Sequence, residues 1–330
     1  MIDALILDEV KNKINHSSDF LLTCHIHPDG DALGSTMAMA HALKSIGKNV
    51  VVTFPDPFVL PYSLSRTIPG LKELAMPSND VNVEKDFDVV MTFDCGAESR
   101  LTGLESLIEK SKIFINIDHH LSNEKFGDIN IIDANAASSG SVVQEILDFC
   151  EIELNDDIAT CLYIALLTDT GRFQFSSTTT KVFEQAKILS TFNVDIAFLS
   201  RTLTEEDSYS LMKLAGEVLS KMEYDEANKF VYSYATIDMR KKYDCAYDEV
   251  EGLIELIRRS READVAVMIK EFEPGDFRVS LRSLGTIDVC EIASEFGGGG
   301  HRFAAGFSSK LSIEQIVSEL NKLISTKRSN

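Results

Sequence analysis

Apolar residues fall along this chain in short runs that alternate with longer stretches of helical spacing. In residues 1–15, Ile2, Leu5, Ile6, Val10 and Ile14 recur three and four apart, which predicts an amphipathic helix. Phe20–Ile26 is a continuous apolar run of strand length. Leu33–Ile46 reads as a helix closed by Gly47, and Asn49–Phe54 as a second strand. A connection through Pro55, Pro57, Pro61 and Pro69 follows. Asp88–Asp94 and Lys112–Asp118 are further buried strands, with helical spacing over Leu104–Lys110 between them, and Ile129–Ile132 is a short strand. Helices are expected at Gly140–Cys150, Asp156–Leu167 and Thr180–Phe192. Apolar strands alternating with helices predict an α/β fold, with a mostly parallel sheet covered on both faces.

The pattern changes after residue 193. Residues 194–222 read as a linker-helix region interrupted by the acidic break Thr204–Asp207. Beyond it, strands are expected at Phe230–Thr236, Ala263–Glu271 and Phe277–Arg282, and helices at Glu249–Arg259, Asp288–Phe296 and Ile313–Ile324. The run Gly297–Gly300, then His301, follows the second of these helices. Two domains are expected: residues 1–193, and a smaller α/β domain over 223–330 with 194–222 linking them.

A length of 330 residues accommodates two packed cores. No apolar run approaches the roughly 20 residues that span a bilayer. The first helix is acidic where a signal peptide would be basic, so neither membrane insertion nor export is expected. Six scattered cysteines without a CxxC pair exclude a disulfide framework and a thiolate metal site, and suit a reducing cytoplasm. The net charge of -20 argues against a long duplex as ligand, because duplex binding relies on many Lys and Arg contacts to phosphate. A nucleic acid substrate would have to be short, or held by a local basic patch and metals.

Candidate chemistry sits where the apolar runs stop. His25 closes the first run, and Asp29 and Asp31 follow across the Pro28-Asp29-Gly30 turn. Asp94 follows VVMTF, Asp118, His119 and His120 follow IFIN, and Asp169 follows the helix ending ALLT. Charge at such positions is usually paired or binds metal. Each residue alone also suits a plainer role: Asp31 or Ser35 as a helix cap, Asp94 and Asp169 as turn caps, His119 and His120 as polar neighbours. In an open parallel sheet, however, the carboxyl ends of the strands line one edge. His25, Asp29, Asp31, Asp94, His119 and Asp169 can therefore meet there. Two imidazoles and four carboxylates suit Mn²⁺ or Mg²⁺ and admit Zn²⁺ or Co²⁺. Six ligands exceed what one such ion needs beside water, so two ions sharing bridging carboxylates are expected. The Gly297–Gly300 run lacks dinucleotide-fingerprint spacing; it permits close backbone approach to an anion, or serves as a flexible connector. Arg278 and Arg282 alternate on one strand and share a face, and arginine suits forked binding of phosphate.

Taken together, HIHPDGDALGS, the DCG at Asp94, the Asp118-His119-His120 triplet and TDTGRF resemble the four metal motifs of the DHH phosphoesterases. FRVSLRS followed by FGGGGHRFAAG resembles the DHHA1 substrate-binding domain found with them. The resemblance spans nearly the whole chain, and no motif residue is replaced. In length the chain resembles the stand-alone group, nano-RNases that also remove the 3′-phosphate of 3′-phosphoadenosine 5′-phosphate (pAp). It is less like the longer RecJ-type exonucleases or the membrane-bound cyclic-dinucleotide enzymes. The resemblance implies His25, Asp29 and Asp94 on one divalent ion, and Asp31, Asp94, His119 and Asp169 on a second, most readily Mn²⁺. It implies that Asp118 orients His119 and that His120 faces the phosphate. Arg282, Ser283, Gly298, Gly299, Gly300 and His301 would grip the terminal phosphate or nucleotide across a cleft, with Arg100 as a further phosphate contact.

The implied activity is hydrolysis of short oligoribonucleotides (nanoRNA) to 5′-mononucleotides and of pAp to AMP. The alternatives are a phosphodiesterase for linear or cyclic dinucleotides (pApA, c-di-AMP), or a nucleotide-binding module without catalysis. Expected partners are short single-stranded RNA or nucleotides, with no long duplex and no membrane. The resemblance also allows a homodimer.

Overall fold

A computed structural model of the chain describes residues 2–81 and 86–329, leaving aside the side chains of Asp248, His301 and Ser329. The chain divides into two compact units, residues 1–206 and 207–330. Residues 194–222, expected as the linker-helix region, contain two helices. Ile196–Thr204 packs Leu199 into the first unit's core, and Tyr209–Ser220 packs Leu211, Leu214 and Val218 into a core of the second.

The first unit is built on a six-stranded sheet of β1 (Asp19–Cys24), β2 (Asn49–Phe54), β3 (Ala75–Pro77), β4 (Phe87–Phe93), β5 (Ser111–Asp118) and β6 (Ile129–Ile132). Their spatial order is β3-β2-β1-β4-β5-β6, and every pairing is parallel. The strands are apolar on both sides because both faces are covered. Phe20, Leu22, Val89, Met91, Ile115 and Ile117 point into one core, and Leu21, Val90 and Phe114 into another. β3 lies in the proline-bearing connection, where the sequence suggested only a loop; three residues at a sheet edge leave almost no periodic signal.

The helix Gly30–Ser45 fills the centre of this unit. It is hydrophobic nearly all round, because it is enclosed by strands on one side and by the helices Ser139–Phe149 and Asp156–Asp169 on the other. Leu33, Met37 and Leu43 are completely buried, and each contributes about 1.5–3 kcal/mol. Gly34 allows the close crossing: a Cβ there would lie 2.7 Å from the carbonyl oxygen of Cys161. This helix therefore aims its amino end at the edge of the sheet with little freedom to drift.

The second unit carries a mixed sheet in the order β11-β12-β10-β9-β8-β7. Its strands are β7 (Glu223–Asp225), β8 (Phe230–Ala235), β9 (Val265–Glu273), β10 (Asp276–Ser283), β11 (Gly299–His301) and β12 (Ala304–Ser309). β8 and β9 pair in parallel and the other pairs are antiparallel. Apolar cores again cover both faces. Two expectations need correction here. The segment expected as one helix over 249–259 is a 3₁₀ turn, Asp248–Leu253, followed by the short helix Ile254–Ile257. The glycine run is half strand, since Gly299–His301 forms the edge strand β11 paired with β12. Glycines carry no β signal, yet they let two backbones lie side by side without side chains between them. Among the described residues no helix is long and apolar enough to cross a membrane.

Candidate metal centre

The strand order reverses between β1 and β4, and the crevice outside their carboxyl ends is where an open parallel sheet binds ligands. His25 directly follows β1 and Asp94 directly follows β4, while Asp118 ends β5 and His119 and His120 come next. Asp29 caps the helix Gly30–Ser45, its Oδ1 accepting from the amides of Asp31 and Ala32 at 3.0 Å each, and Asp31 stands in that helix's first turn. Asp169 is the last residue of Asp156–Asp169. Five separate elements thus deliver charge to one place.

Asp94 is the hub. Its Oδ2 lies 3.4 Å from His25 Nε2, and its Oδ1 lies 3.6 Å from His119 Nε2 and 3.5 Å from His120 Nδ1. His119 Nε2 also stands 3.4 Å from Asp169 Oδ2 and 3.8 Å from Asp31 Oδ2. The Nδ1 of His119 lies 3.3 Å from the carbonyl of Ala136, and that of His25 lies 2.8 Å from the carbonyl of Ile26. Each Nε2 is thereby directed at carboxylates, and the tautomer in which Nδ1 donates to the carbonyl is the one that frees Nε2 to ligate a metal. Three groups hold their donor atoms within 4.8 Å of one another: His25, Asp29 and Asp94; Asp31, His119 and Asp169; and Asp94, His119 and His120. Each could hold a metal ion.

The electrostatics agree with a cation site. Burial pushes the Asp31 carboxyl well above the usual range, and the charges of Asp94, Asp169 and Asp29 push it further. Asp169 is raised to about 7, first by burial and then by Asp94 and Asp29, against the pull of His119. Such crowding is unfavourable without positive charge at its centre. Asp94 goes the other way: burial works against its ionised form, but the hydrogen bond from His25 and the charges of His120 and His119 hold it below the usual value. Among the described residues the adjacent thiols of Cys24 and Cys95 join none of these groups. Burial raises Cys24 well above its normal value and Cys95 to about 12, so both stay protonated. Carboxylates and imidazoles without thiolate fit a hard or borderline divalent ion.

Two supports were not visible in the sequence. The Asp31 carboxylate accepts from the amides of Ser139 (2.6 Å) and Gly140 (2.9 Å), the amino end of the helix Ser139–Phe149. Those donors and the helix dipole aim the carboxylate and favour its ionised form, against the burial and neighbouring carboxylates that raise its pKa. The Ser138-Ser139-Gly140 sequence predicts a cap but not its distant partner. The second support is Asn123. Asp118 is completely buried; its Oδ1 receives the His119 amide (2.8 Å) and lies 2.7 Å from His120 Nδ1, while its Oδ2 accepts from Asn123 Nδ2 at 2.6 Å. Asn123 also donates to the carbonyl of Cys95 and accepts from Asn116 and the Lys125 amide, locking the loop after β5 in place. His120 is raised to about 9 by its hydrogen bond to Asp118. Replacing Asn123 by Ala should cost about 2 kcal/mol in a urea unfolding curve, because a buried carboxylate loses a donor. An unchanged midpoint would count against this role.

Of the remaining sequence candidates, Arg100 lies beside this centre and the others lie in the second unit. Arg100 is exposed, its Nη2 lying 3.0 Å from His25 Nδ1 and its carbonyl accepting from the Ile26 amide. Within the second unit, Arg282 on β10 pairs in register with Ala304, which pairs in turn with His301 on β11. Arg282 Nε donates to Glu255 Oε1 at 3.0 Å and Nη1 to the carbonyl of Leu281. Ser283 donates its amide to the Phe303 carbonyl, and its buried Oγ meets no hydrogen-bond partner among the described residues. Gly298 packs so tightly on the backbone of Gly306 that any Cβ would collide, whereas Gly299 faces open space and Gly300 has a φ of 141°. The side chain of His301 lies outside the described residues.

Comparison with known proteins bears on the whole chain. Residues 19–166 match the model of the DHH family N-terminal domain and residues 227–326 that of the DHHA1 domain. The chain is 32% identical over 297 residues to the bifunctional oligoribonuclease and PAP phosphatase NrnA of Thermus thermophilus, covering 89% of this chain and 85% of that one. It is 29% identical to the probable bifunctional oligoribonuclease and PAP phosphatase NrnA of Streptococcus mutans, over 94% of this chain and 97% of the relative. The crystal structure of an exopolyphosphatase-related protein from Bacteroides fragilis superposes with a TM-score of 0.90 at 25% identity, covering 99% of this chain and 97% of that one. With carboxylates and imidazoles gathered at the reversal of a parallel sheet and both family domains matched in order, the chain belongs to the DHH family and carries its DHHA1 domain.

Proposed function

We propose that the chain is a phosphohydrolase working with two divalent ions, Mn²⁺ foremost, that degrades short oligoribonucleotides to 5′-mononucleotides and converts pAp to AMP. The observation that carries this reading is the position of Asp94, one carboxylate shared between two of the ligand groups and facing three imidazoles. In this reading His25, Asp29 and Asp94 hold one ion, and Asp31, Asp94, His119 and Asp169 the other. When bound, the ions supply Lewis acidity, offsetting charge at phosphorus and lowering the pKa of water. The chain's own residues do the rest. Asp118 keeps the His120 imidazole protonated through Nδ1, so its Nε2–H can neutralise a phosphate oxygen or give its proton to the departing 3′-oxygen. Arg282, Ser283, Gly298–Gly300 and His301 hold the nucleotide's terminal phosphate. The names borne by the Thermus thermophilus and Streptococcus mutans relatives support the substrate class, and free cysteines suit a cytoplasmic setting.

The test is a rate comparison with Mn²⁺ across single-stranded RNAs of about 2 to 24 nucleotides, together with pAp, pApA and c-di-AMP. Fast release of mononucleotides from the shortest RNAs and of AMP from pAp supports the reading. A strong preference for one dinucleotide replaces it with a dedicated dinucleotide phosphodiesterase, and no turnover of any of them overturns it. A second expectation separates the roles of the two units. Arg282→Ala should raise KM at least about tenfold while Mn²⁺ affinity holds, because the lost contact is to substrate. A fall in metal affinity at constant KM would reverse the assignment.

A further inference from the structure

The segment after Asp169 is wound unusually. Gly171, Arg172 and Phe173 take consecutive left-handed backbone angles, with φ of 54°, 63° and 62°. Residues bearing a Cβ adopt this region at a cost, and such strain persists only where the surroundings determine it. Here they do. The Gly171 amide donates to the carbonyl of Thr168 and the Arg172 amide to that of Leu167; the Phe173 amide donates to Thr170 Oγ1. The amides of Gln174 and Phe175 both donate to the carbonyl of Thr170, at 3.0 Å. The loop therefore has a fixed direction.

That direction sends its two aromatic rings to different places. Phe173 turns inward, stacked on Phe183 at 5.7 Å and edge-on to Tyr163 at 6.3 Å. Phe175 lies on the bare backbone of Gly171, where any Cβ would collide with the ring, and is 44% exposed. Arg172 between them is exposed and makes no ion pair among the described residues, in a chain with 52 acidic side chains. Phe173 serves the core, while the Phe175 ring and the Arg172 guanidinium reach the surface. Both stand within six residues of Asp169.

We propose that residues 171–175 form a nucleotide platform, resting on the phosphohydrolase reading above: the Phe175 ring stacks on the nucleobase beside the scissile bond, and the Arg172 guanidinium takes the flanking phosphate. Every base has a π face, so an aromatic platform is tolerant of sequence, as degradation of mixed short strands requires. A guanidinium offers phosphate a fork of donors and locally offsets the negative field of the chain.

The experiment measures Mn²⁺-dependent hydrolysis of pApA and of an analogue with an abasic sugar beside the scissile bond, in wild type, Phe175→Leu, Phe175→Tyr and Arg172→Gln. KM for pApA should rise about tenfold in Phe175→Leu and stay near wild type in Phe175→Tyr, while KM for the abasic analogue is the same in all three. Arg172→Gln should raise KM for both substrates, with a difference that shrinks as salt increases. Mn²⁺ affinity by calorimetry should not change in any of them. Equal KM for pApA in Phe175→Leu and wild type overturns the platform. So does a parallel loss of Mn²⁺ affinity, which would leave the loop with only the holding of Asp169. If wild type turns over nothing, the proposed function falls by itself, and pApA affinity across the same four proteins still decides the platform.

Discussion

Asp94→Asn should lower metal-dependent hydrolysis by about 10³-fold or more while the fold survives. The replacement is chosen for the backbone: Asp94 has a φ of 54°, a left-handed position that Asn tolerates and Ala does not. Asn also keeps an acceptor for the Ser139 hydroxyl, which now donates to Asp94 Oδ1 at 3.1 Å. What disappears is the charge that faces His25, His119 and His120 and that completes two of the three possible ligand groups. Neighbouring Asp29, Asp31 and Asp169 lose a repelling carboxylate at the same time, so the metal-free protein gains as well as loses. Its circular dichroism and melting temperature should therefore stay close to wild type, while the Mn²⁺ titration loses its tight phase. Wild-type turnover in this variant would remove Asp94 from the centre of the chemistry.

Much of this arrangement was legible because most of these side chains interrupt or close an apolar run. His25, Asp94 and Asp118 stand at the ends of strands that are otherwise continuous hydrophobic residues, and parallel pairing then forces them to one edge. The rule needs only local pattern plus topology. What escaped were features whose cause lies far away in the chain. The amides of Ser139 and Gly140 meet Asp31 across more than a hundred residues. Asn123 is one polar residue in a polar loop, and only its four contacts distinguish it. β3 and β11 are three residues each, one with a proline and one with two glycines, so propensity pointed away from both. The 3₁₀ turn over Asp248–Leu253 escaped for another reason: the apolar spacing of Val250, Leu253 and Ile254, all buried in one core, suits both kinds of helix.

The metal-free protein should lose stability as pH rises from about 6 to 8, and Mn²⁺ should reverse that slope. The sign follows from which state holds the protons. Asp169 titrates near 7 when folded and near 3.8 when unfolded, and Asp31 and Asp29 are displaced upward too. Between those values the folded chain carries protons that the unfolded chain has released, so each rise in pH favours unfolding. His120 adds in the same direction. Its folded value of about 9 exceeds the unfolded 6.5, so its contribution is complete below 6.5 and is lost as pH passes through 9. Asp94 and Asp118 are displaced downward, and what they contribute is lost only in acid, below this window. One proton gives at most about 1.4 kcal/mol per pH unit. Asp169 is 31% exposed on its side chain, which reduces its share through solvent screening. A drop of about 2–4 °C in melting temperature per pH unit is the expected scale for a unit of this size. A divalent ion needs the same carboxylates ionised, so binding expels the protons and Mn²⁺ should stabilise the protein more at pH 8 than at pH 6. Thermal melts in EDTA and in Mn²⁺ at the two pH values decide it. A metal-free melting temperature that is flat or rising across this range, or an Mn²⁺ shift independent of pH, would show that the four carboxylates are not crowded in the way their positions imply.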